Sequence, residues 1–112
     1  MPDKVAMLRE SEYELQLFEQ LEQAGITGVV WHPTVLDHEV DFVMPGRIIV
    51  EVQGQIWKKG AHTWGRGYIR DRRFANAAQI AGWHVLEFAP DCINDGTALE
   101  TIKAALEKWA QN

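Results

Sequence analysis

The chain has 112 residues, 46% of them hydrophobic, and a formal net charge of −5. A chain of this size is expected to form one domain over residues 1–112 around one core. Its apolar runs are too short for a membrane span and its start lacks a signal-peptide pattern, so we expect a cytoplasmic protein. The single cysteine, Cys92, excludes an internal disulfide and argues against a thiolate zinc site.

The first predicted element is an amphipathic helix over residues 4–24 that ends at Gly25. Alternatively, Ser11 is an N-cap, which limits the helix to 12–24, leaves a loose or separate first turn before it, and puts Glu14 at the third position of a capping box. Glu14 also lies near the buried side of this helix, where an uncompensated carboxylate is costly. It therefore has either a capping role or a place facing a metal site.

The next segment, residues 26–37, is predicted to be extended or looping, and Pro33 argues against a central strand there. His32 and His38 do not have the helical spacing of zinc ligands. We expect them to be ordinary polar side chains.

Residues 38–53 predict two strands joined by the three-residue loop 45–47. In the expected register three apolar pairs share one face: Val40 with Val52, Phe42 with Val50, and Met44 with Ile48. The same register sets Asp41 opposite Glu51. Two carboxylates this close repel each other unless a cation lies between them, and hard oxygen ligands favour Mg²⁺ or Mn²⁺.

The second half predicts four elements: a glycine-punctuated loop over 54–67, a helix over 68–81, a strand over 83–90 and a final helix from Thr97 to Trp109. The strand alternates between two faces, with Trp83, Val85 and Glu87 on one and His84, Leu86 and Phe88 on the other. Thr97 is the expected cap of the last helix, after a turn region over 91–96.

Basic residues are concentrated in residues 57–73, which hold six of the eleven lysines and arginines and one acid, Asp71. This segment has a charge of +5, and the remaining chain has a charge of −10. Aromatic residues and glycines are interleaved with the charges. The pattern fits either a solvated loop and helix face or contact with a polyanion.

The acids Glu14, Asp41 and Glu51, in this order of elements, resemble the PD-(D/E)XK nuclease superfamily. Residues 51–90, EVQGQIWKKGAHTWGRGYIRDRRFANAAQIAGWHVLEFAP, look like the small phage and bacterial endonucleases related to very-short-patch-repair enzymes. The match covers roughly residues 12–90. It implies an α/β, restriction-endonuclease-like core: a central mixed sheet with an antiparallel hairpin, flanked by helices in the order α-β-β-β-α-β-α.

The resemblance implies a Mg²⁺- or Mn²⁺-dependent endodeoxyribonuclease that hydrolyses phosphodiester bonds in a bacterial cell or a phage-infected host. Nicked, mismatched or branched DNA is the expected substrate, in repair or recombination. Asp41, Glu51 and the backbone carbonyl of Val52 would hold the metal, and Glu14 is the acid on the first helix. No organic cofactor and no membrane partner are expected.

Three further roles follow from the resemblance. His62 would activate or orient water, and Asp71 matches a helix acid that binds a second metal or orients a basic residue, unless it is only a first-turn acid favoured by the helix dipole. Gln53 stands at the position where the family usually has lysine. The expected DNA contacts are Trp57, Lys58, Lys59, Trp64, Arg66, Arg70 and Arg73.

Gln53 lacks the positive charge that lysine would bring to the phosphate. The alternative to an active nuclease is therefore a catalytically weak or inactive module that keeps the fold and binds DNA structures or another protein. One small domain holds one site, so double-strand cleavage would require two copies, and a homodimer is an expected partner arrangement.

Overall fold

A computed structural model describes residues 3–53 and 66–110. The elements in these ranges are α1 (Lys4–Glu10), α2 (Glu12–Gln23), β1 (Val30–Trp31), β2 (Thr34–Val35), β3 (His38–Glu39), β4 (Phe42–Met44), β5 (Ile48–Val52), α3 (Arg66–Ile80), β6 (His84–Phe88), α4 (Pro90–Asn94) and α5 (Thr97–Trp109). No helix within them is both long and apolar enough to cross a membrane.

The central sheet has four strands in the order β1-β4-β5-β6. Strand β4 is antiparallel to both of its neighbours, β1 and β5, whereas β6 runs parallel to β5 after the crossover through α3. Strands β2 and β3 form a separate two-stranded ribbon. The predicted α/β fold, with a mixed sheet and an antiparallel hairpin between helices, is confirmed.

Ser11 separates α1 from α2. Its hydroxyl accepts a hydrogen bond from the backbone N–H of Glu14 (3.2 Å). Ser11 is therefore the N-cap of α2, as the second interpretation of this segment predicted, and a continuous helix over 4–24 is wrong. Helix α1 stands apart as a short helix with its own cap, Asp3. It still buries Met7 completely in the core.

The hairpin has the predicted register where its strands pair, with Phe42 opposite Val50 and Met44 opposite Ile48 around the loop 45–47. The predicted pair of Val40 with Val52 is wrong, because the chain bends at Asp41 before β4 begins. The N–H of Val40 donates to the carbonyl of Pro33 instead (3.0 Å), so Val40 leaves the face that it was expected to share. It packs in the second apolar cluster, described next.

The two faces of the sheet bury different clusters. The larger one packs α1, α2, α4 and α5 against Phe42, Met44, Ile48, Val50 and Phe88. The smaller one packs Ala78 of α3 against Val35, Val40 and Ile49. The alternation predicted for β6 is confirmed, since Leu86 and Phe88 belong to the larger cluster and Trp83 and Val85 to the smaller.

Several short elements were absent from the predicted order α-β-β-β-α-β-α: α1 as a separate helix, the β2 and β3 ribbon, and α4. Elements of two to seven residues are too short to produce a periodic sequence pattern, which is why they were missed. The cap of α5 also differs, because Thr97 is its first residue and Gly96 is the N-cap. The carboxylate of Asp95 accepts the N–H of Thr97 (2.9 Å).

Arg47 lies in the hairpin loop, at the end of β4 opposite to Asp41, and binds the C-terminal end of α3. Its guanidinium donates to the carbonyls of Ala81 (3.0 Å) and Gly82 (3.1 Å) and lies over the ring of Trp83. Replacing Arg47 with Ala is expected to lower the free energy of unfolding by about 1 kcal/mol, measured by urea denaturation, because two carbonyls lose a charged donor.

Alanine and arginine are equally disfavoured at the positive φ of residue 47, so the substitution measures the loss of the side-chain contacts and not a change in backbone strain. Arg47→Lys is the matched control, and we expect it to lose less because it keeps the charge. An Arg47→Ala variant as stable as the wild type would show that this guanidinium does not brace the helix end.

Candidate active site

Glu14 is 8% exposed and points away from its own helix. Its Oε1 accepts a hydrogen bond from the indole Nε1 of Trp31 (2.8 Å) and lies 3.0 Å from Nε2 of His32. The backbone N–H of Ser11, which a complete capping box would pair with Glu14, donates to the carbonyl of Met7 instead. The helix cap therefore uses only the serine side chain, and the Glu14 carboxylate faces β1.

His32 is fixed beside this carboxylate by its own backbone. Its N–H donates to the carbonyl of Asp41 (2.9 Å), and its ring stacks on that of Trp31 with centroids 4.0 Å apart. One ligand atom from each of Glu14, His32 and Asp41 lies within 4.8 Å of the others. His32 was expected to be an ordinary polar side chain, and tertiary folding, not sequence spacing, brings it to the two acids.

Asp41 and Glu51, each next to the last paired residues of β4 and β5, lie close enough for each carboxyl group to perturb the pKa of the other. The Oδ2 of Asp41 also accepts the backbone N–H of Val52 (2.7 Å). This bond holds the Asp41 carboxylate in one orientation at the bend.

Both carboxyl groups hold their protons more strongly than usual. Burial, together with the smaller effects of the negative charges of Asp41 and Asp71, raises the pKa of Glu51 to about 8. Burial also raises the pKa of Asp41 to about 6, against the opposing effect of the Val52 N–H. Each carboxyl group is therefore harder to ionise beside the other, as expected of two neighbouring acids that share one buried site.

The donor set fits a divalent cation. Oε1 of Glu51 is buried, and it has no hydrogen-bond partner among the described residues, 3–53 and 66–110. A buried carboxylate oxygen without a partner is costly, and a cation would remove both that cost and the repulsion within the acid pair. Carboxylate oxygens suit Mg²⁺ or Mn²⁺, and imidazole nitrogen is a ligand of first-row transition ions.

Gln53 is held by a neighbouring acid. Its Nε2 donates to Oε2 of Glu87 on β6 (3.2 Å), and its backbone N–H pairs with the carbonyl of Phe88 (2.8 Å). The guanidinium of Arg72 binds both oxygens of Glu87, with Nη1 at 3.2 Å from Oε1 and Nη2 in contact with Oε2. Arg72 was counted in the basic segment but was not predicted as a site residue.

Asp71 lies at the edge of this cluster, close enough for its charge to raise the pKa of Glu51. Its Oδ1 is 3.9 Å from Nε2 of His38, whose ring stacks on Phe74. The other basic residues of α3 that were expected to contact DNA, Arg66, Arg70 and Arg73, are exposed on the helix surface. Five predicted site residues lie outside the described ranges: Trp57, Lys58, Lys59, His62 and Trp64.

No protein-family model matches the sequence, and a comparison with curated proteins gives no significant match. The structure is similar to the catalytic domain of the homing endonuclease I-Bth0305I, with a TM-score of 0.73 and 21% sequence identity. The similarity covers 90% of this chain and 99% of that domain. The two therefore share a fold over almost their whole lengths.

Proposed function

We propose that the protein is a Mg²⁺- or Mn²⁺-dependent endodeoxyribonuclease that hydrolyses phosphodiester bonds. Two groupings of acids carry the proposal. Ligand atoms of Glu14 and Asp41 lie within 4.8 Å of each other beside His32. Asp41 is also close enough to raise the pKa of Glu51, whose buried Oε1 has no hydrogen-bond partner among the described residues. The fold shared with a homing endonuclease catalytic domain supports DNA as the substrate. Relationship to the PD-(D/E)XK superfamily and its very-short-patch-repair-like branch is part of this proposal.

In this proposal Asp41, Glu51, the Val52 carbonyl and Glu14 hold the cation. When bound, it polarises the phosphodiester and lowers the pKa of the attacking water. The chain itself supplies preorganisation, since the N–H groups of Val52 and Trp31 fix the carboxylates of Asp41 and Glu14 before substrate arrives.

The remaining roles are assigned to residues around this centre. His62 orients the attacking water, and Asp71 either holds a second cation or orients a neighbouring basic residue. Trp57 and Trp64 stack on bases or wedge a distorted duplex. Five basic residues neutralise phosphates that flank the cleaved bond: Lys58, Lys59, Arg66, Arg70 and Arg73.

Removing two exposed arginines of α3 tests the phosphate contacts. The double variant Arg70→Ala/Arg73→Ala is expected to bind duplex DNA more weakly and to lower the slope of log affinity against log salt by about 1 to 2 units, because fewer counterions are released. Fluorescence anisotropy with EDTA present, at several salt concentrations, measures both quantities. Lys103→Ala on α5 removes an exposed charge from another element and serves as the control. An unchanged salt slope in the double variant would rule out this surface.

A cleavage assay tests the function itself. Duplex, nicked, mismatched and branched DNA are incubated with Mg²⁺, Mn²⁺ or EDTA, using the wild type and the variants Asp41→Ala and Glu51→Ala. Cleavage that requires the metal and is lost in both variants is expected. Cleavage that persists in EDTA, or in both variants, would reject the proposal.

The hydrogen bond between Gln53 and Glu87 favours a second candidate. A side chain held in this way brings no charge to a phosphate, so the protein would be a weak or inactive nuclease that binds DNA structures or a protein partner. Salt-sensitive DNA binding without cleavage in either metal would support this candidate. A homodimer, which double-strand cleavage by one site per chain would need, is tested by light scattering during size-exclusion chromatography.

A further inference from the structure

We propose that His32 is a direct ligand of the metal and that its imidazole makes the site bind Mn²⁺ in preference to Mg²⁺. Because it concerns the same centre, this role of His32 rests on the proposed function. It changes the ligand set from oxygen alone to oxygen with one nitrogen.

The spacing of the ligand atoms fits this role. Nε2 of His32 is 3.0 Å from Oε1 of Glu14. Adjacent ligands of an octahedral cation with bonds of about 2.1 Å are separated by about 3 Å, so both atoms can bind one ion without moving apart. The Asp41 carboxylate supplies a third ligand atom within 4.8 Å of these two.

The backbone of His32 is held in an unfavourable conformation to achieve this placement. Its φ is +56°, in the left-handed region that residues other than glycine rarely adopt and that costs roughly 1 kcal/mol. Hydrogen bonds on both sides maintain it: the N–H of His32 binds the Asp41 carbonyl, and the carbonyl of the following Pro33 accepts the N–H of Val40. Strain of this kind is concentrated at functional sites.

A simple ion pair with Glu14 explains the arrangement less well. Trp31 already donates to the same oxygen, Oε1, so that atom is satisfied without the histidine. The ring is oriented independently by its stacking on Trp31 and by the backbone bond to Asp41. Glu14, Trp31 and Asp41 thus position an imidazole nitrogen toward two carboxylates, as in a mixed nitrogen and oxygen metal site.

The nitrogen determines which cation is preferred. Mg²⁺ binds oxygen ligands and keeps much of its water shell, whereas first-row transition ions accept imidazole readily. In a His32→Gln variant the amide oxygen can replace the nitrogen for Mg²⁺ but is a poorer ligand for Mn²⁺. We therefore expect this variant to lose about 10-fold or more in Mn²⁺ affinity and much less in Mg²⁺ affinity.

Calorimetric titration of the metal-free protein with Mn²⁺ and with Mg²⁺ measures this preference without DNA. Electron spin echo measurements on the Mn²⁺-loaded wild type supply a second readout, since a bound imidazole gives nitrogen-14 modulation that should disappear in His32→Gln. His84→Gln is the matched control, because it makes the same change away from the proposed metal site. His84 stacks on Trp109 and pairs with Ile48, at the end of β5 next to the hairpin loop. Circular dichroism establishes that each variant is folded.

The outcomes separate this inference from the proposed function. Equal Mn²⁺ affinity and an unchanged nitrogen signal in His32→Gln would overturn the ligand role, while metal-dependent cleavage by the wild type would leave the nuclease proposal standing. Mn²⁺ binding by the wild type without nitrogen modulation would also overturn it, even if the variant did not fold. A wild type that neither binds metal nor cleaves DNA would overturn both.

Discussion

Replacing Asp41 with Asn is expected to reduce metal-dependent DNA cleavage by about 10³-fold or more at saturating Mg²⁺. Asparagine can still accept the Val52 N–H through its amide oxygen, so the bend should keep its shape. It loses the negative charge that the proposed metal site requires. Electrostatic stabilisation by a bound metal contributes several kcal/mol to the transition state, and about 4 kcal/mol corresponds to this change in rate.

Single-turnover cleavage of labelled DNA measures this effect, with thermal unfolding as a check on the fold. Asp37→Asn is the matched control, because Asp37 is exposed, lies in the turn between β2 and β3, and has a positive φ that asparagine also tolerates. Cleavage by Asp41→Asn within tenfold of the wild type would exclude Asp41 as an essential metal ligand.

The metal-free protein is expected to become less stable as the pH rises from about 5 to 9, and Glu51 should account for much of the loss. Its pKa is near 4.5 when unfolded and is raised to about 8 in the fold, mainly by burial. A raised pKa means that the folded state holds the proton more strongly. The stabilisation is therefore complete below the unfolded pKa and is lost as pH passes through about 8.

After allowance for solvent screening at this partly exposed group, we expect a contribution of about 2 kcal/mol. Urea denaturation in EDTA across this pH range measures it. Glu51→Gln should flatten the profile and be more stable than the wild type at pH 9, whereas Glu107→Gln on the exposed surface of α5 should leave the profile unchanged. Added Mg²⁺ should restore stability to the wild type at high pH but not to Glu51→Gln. A Glu51→Gln profile as steep as that of the wild type would contradict this account.

Local patterns predicted much of the fold. The paired alternation of the hairpin correctly set its register at Phe42 and Met44, and the alternation in β6 predicted which side chains enter each cluster. The capping signal at Ser11 identified the true start of α2. Each of these features is determined by residues that are close together in the sequence, and such local patterns can be recognised in a single sequence.

Tertiary contacts determined what the sequence did not reveal. The bend at Asp41 moves Val40 to the other face, and it depends on a hydrogen bond to Pro33 and on a side-chain bond to Val52. His32 approaches Glu14 only because β1 packs beside α2, and their 18-residue separation matches no metal-ligand motif. The pairing of Arg72 with Glu87 likewise joins α3 to β6.

The parallel pairing of β5 with β6 also affects how the site assembles. The hairpin closes a loop of three residues, so Asp41 and Glu51 can meet through local chain motion. Glu87 reaches Glu51 only after the crossover through α3 has closed, a step that orders far more chain before any contact compensates for the lost entropy. We therefore expect the acid pair to form earlier in folding than the contact between Arg72 and Glu87 beside it.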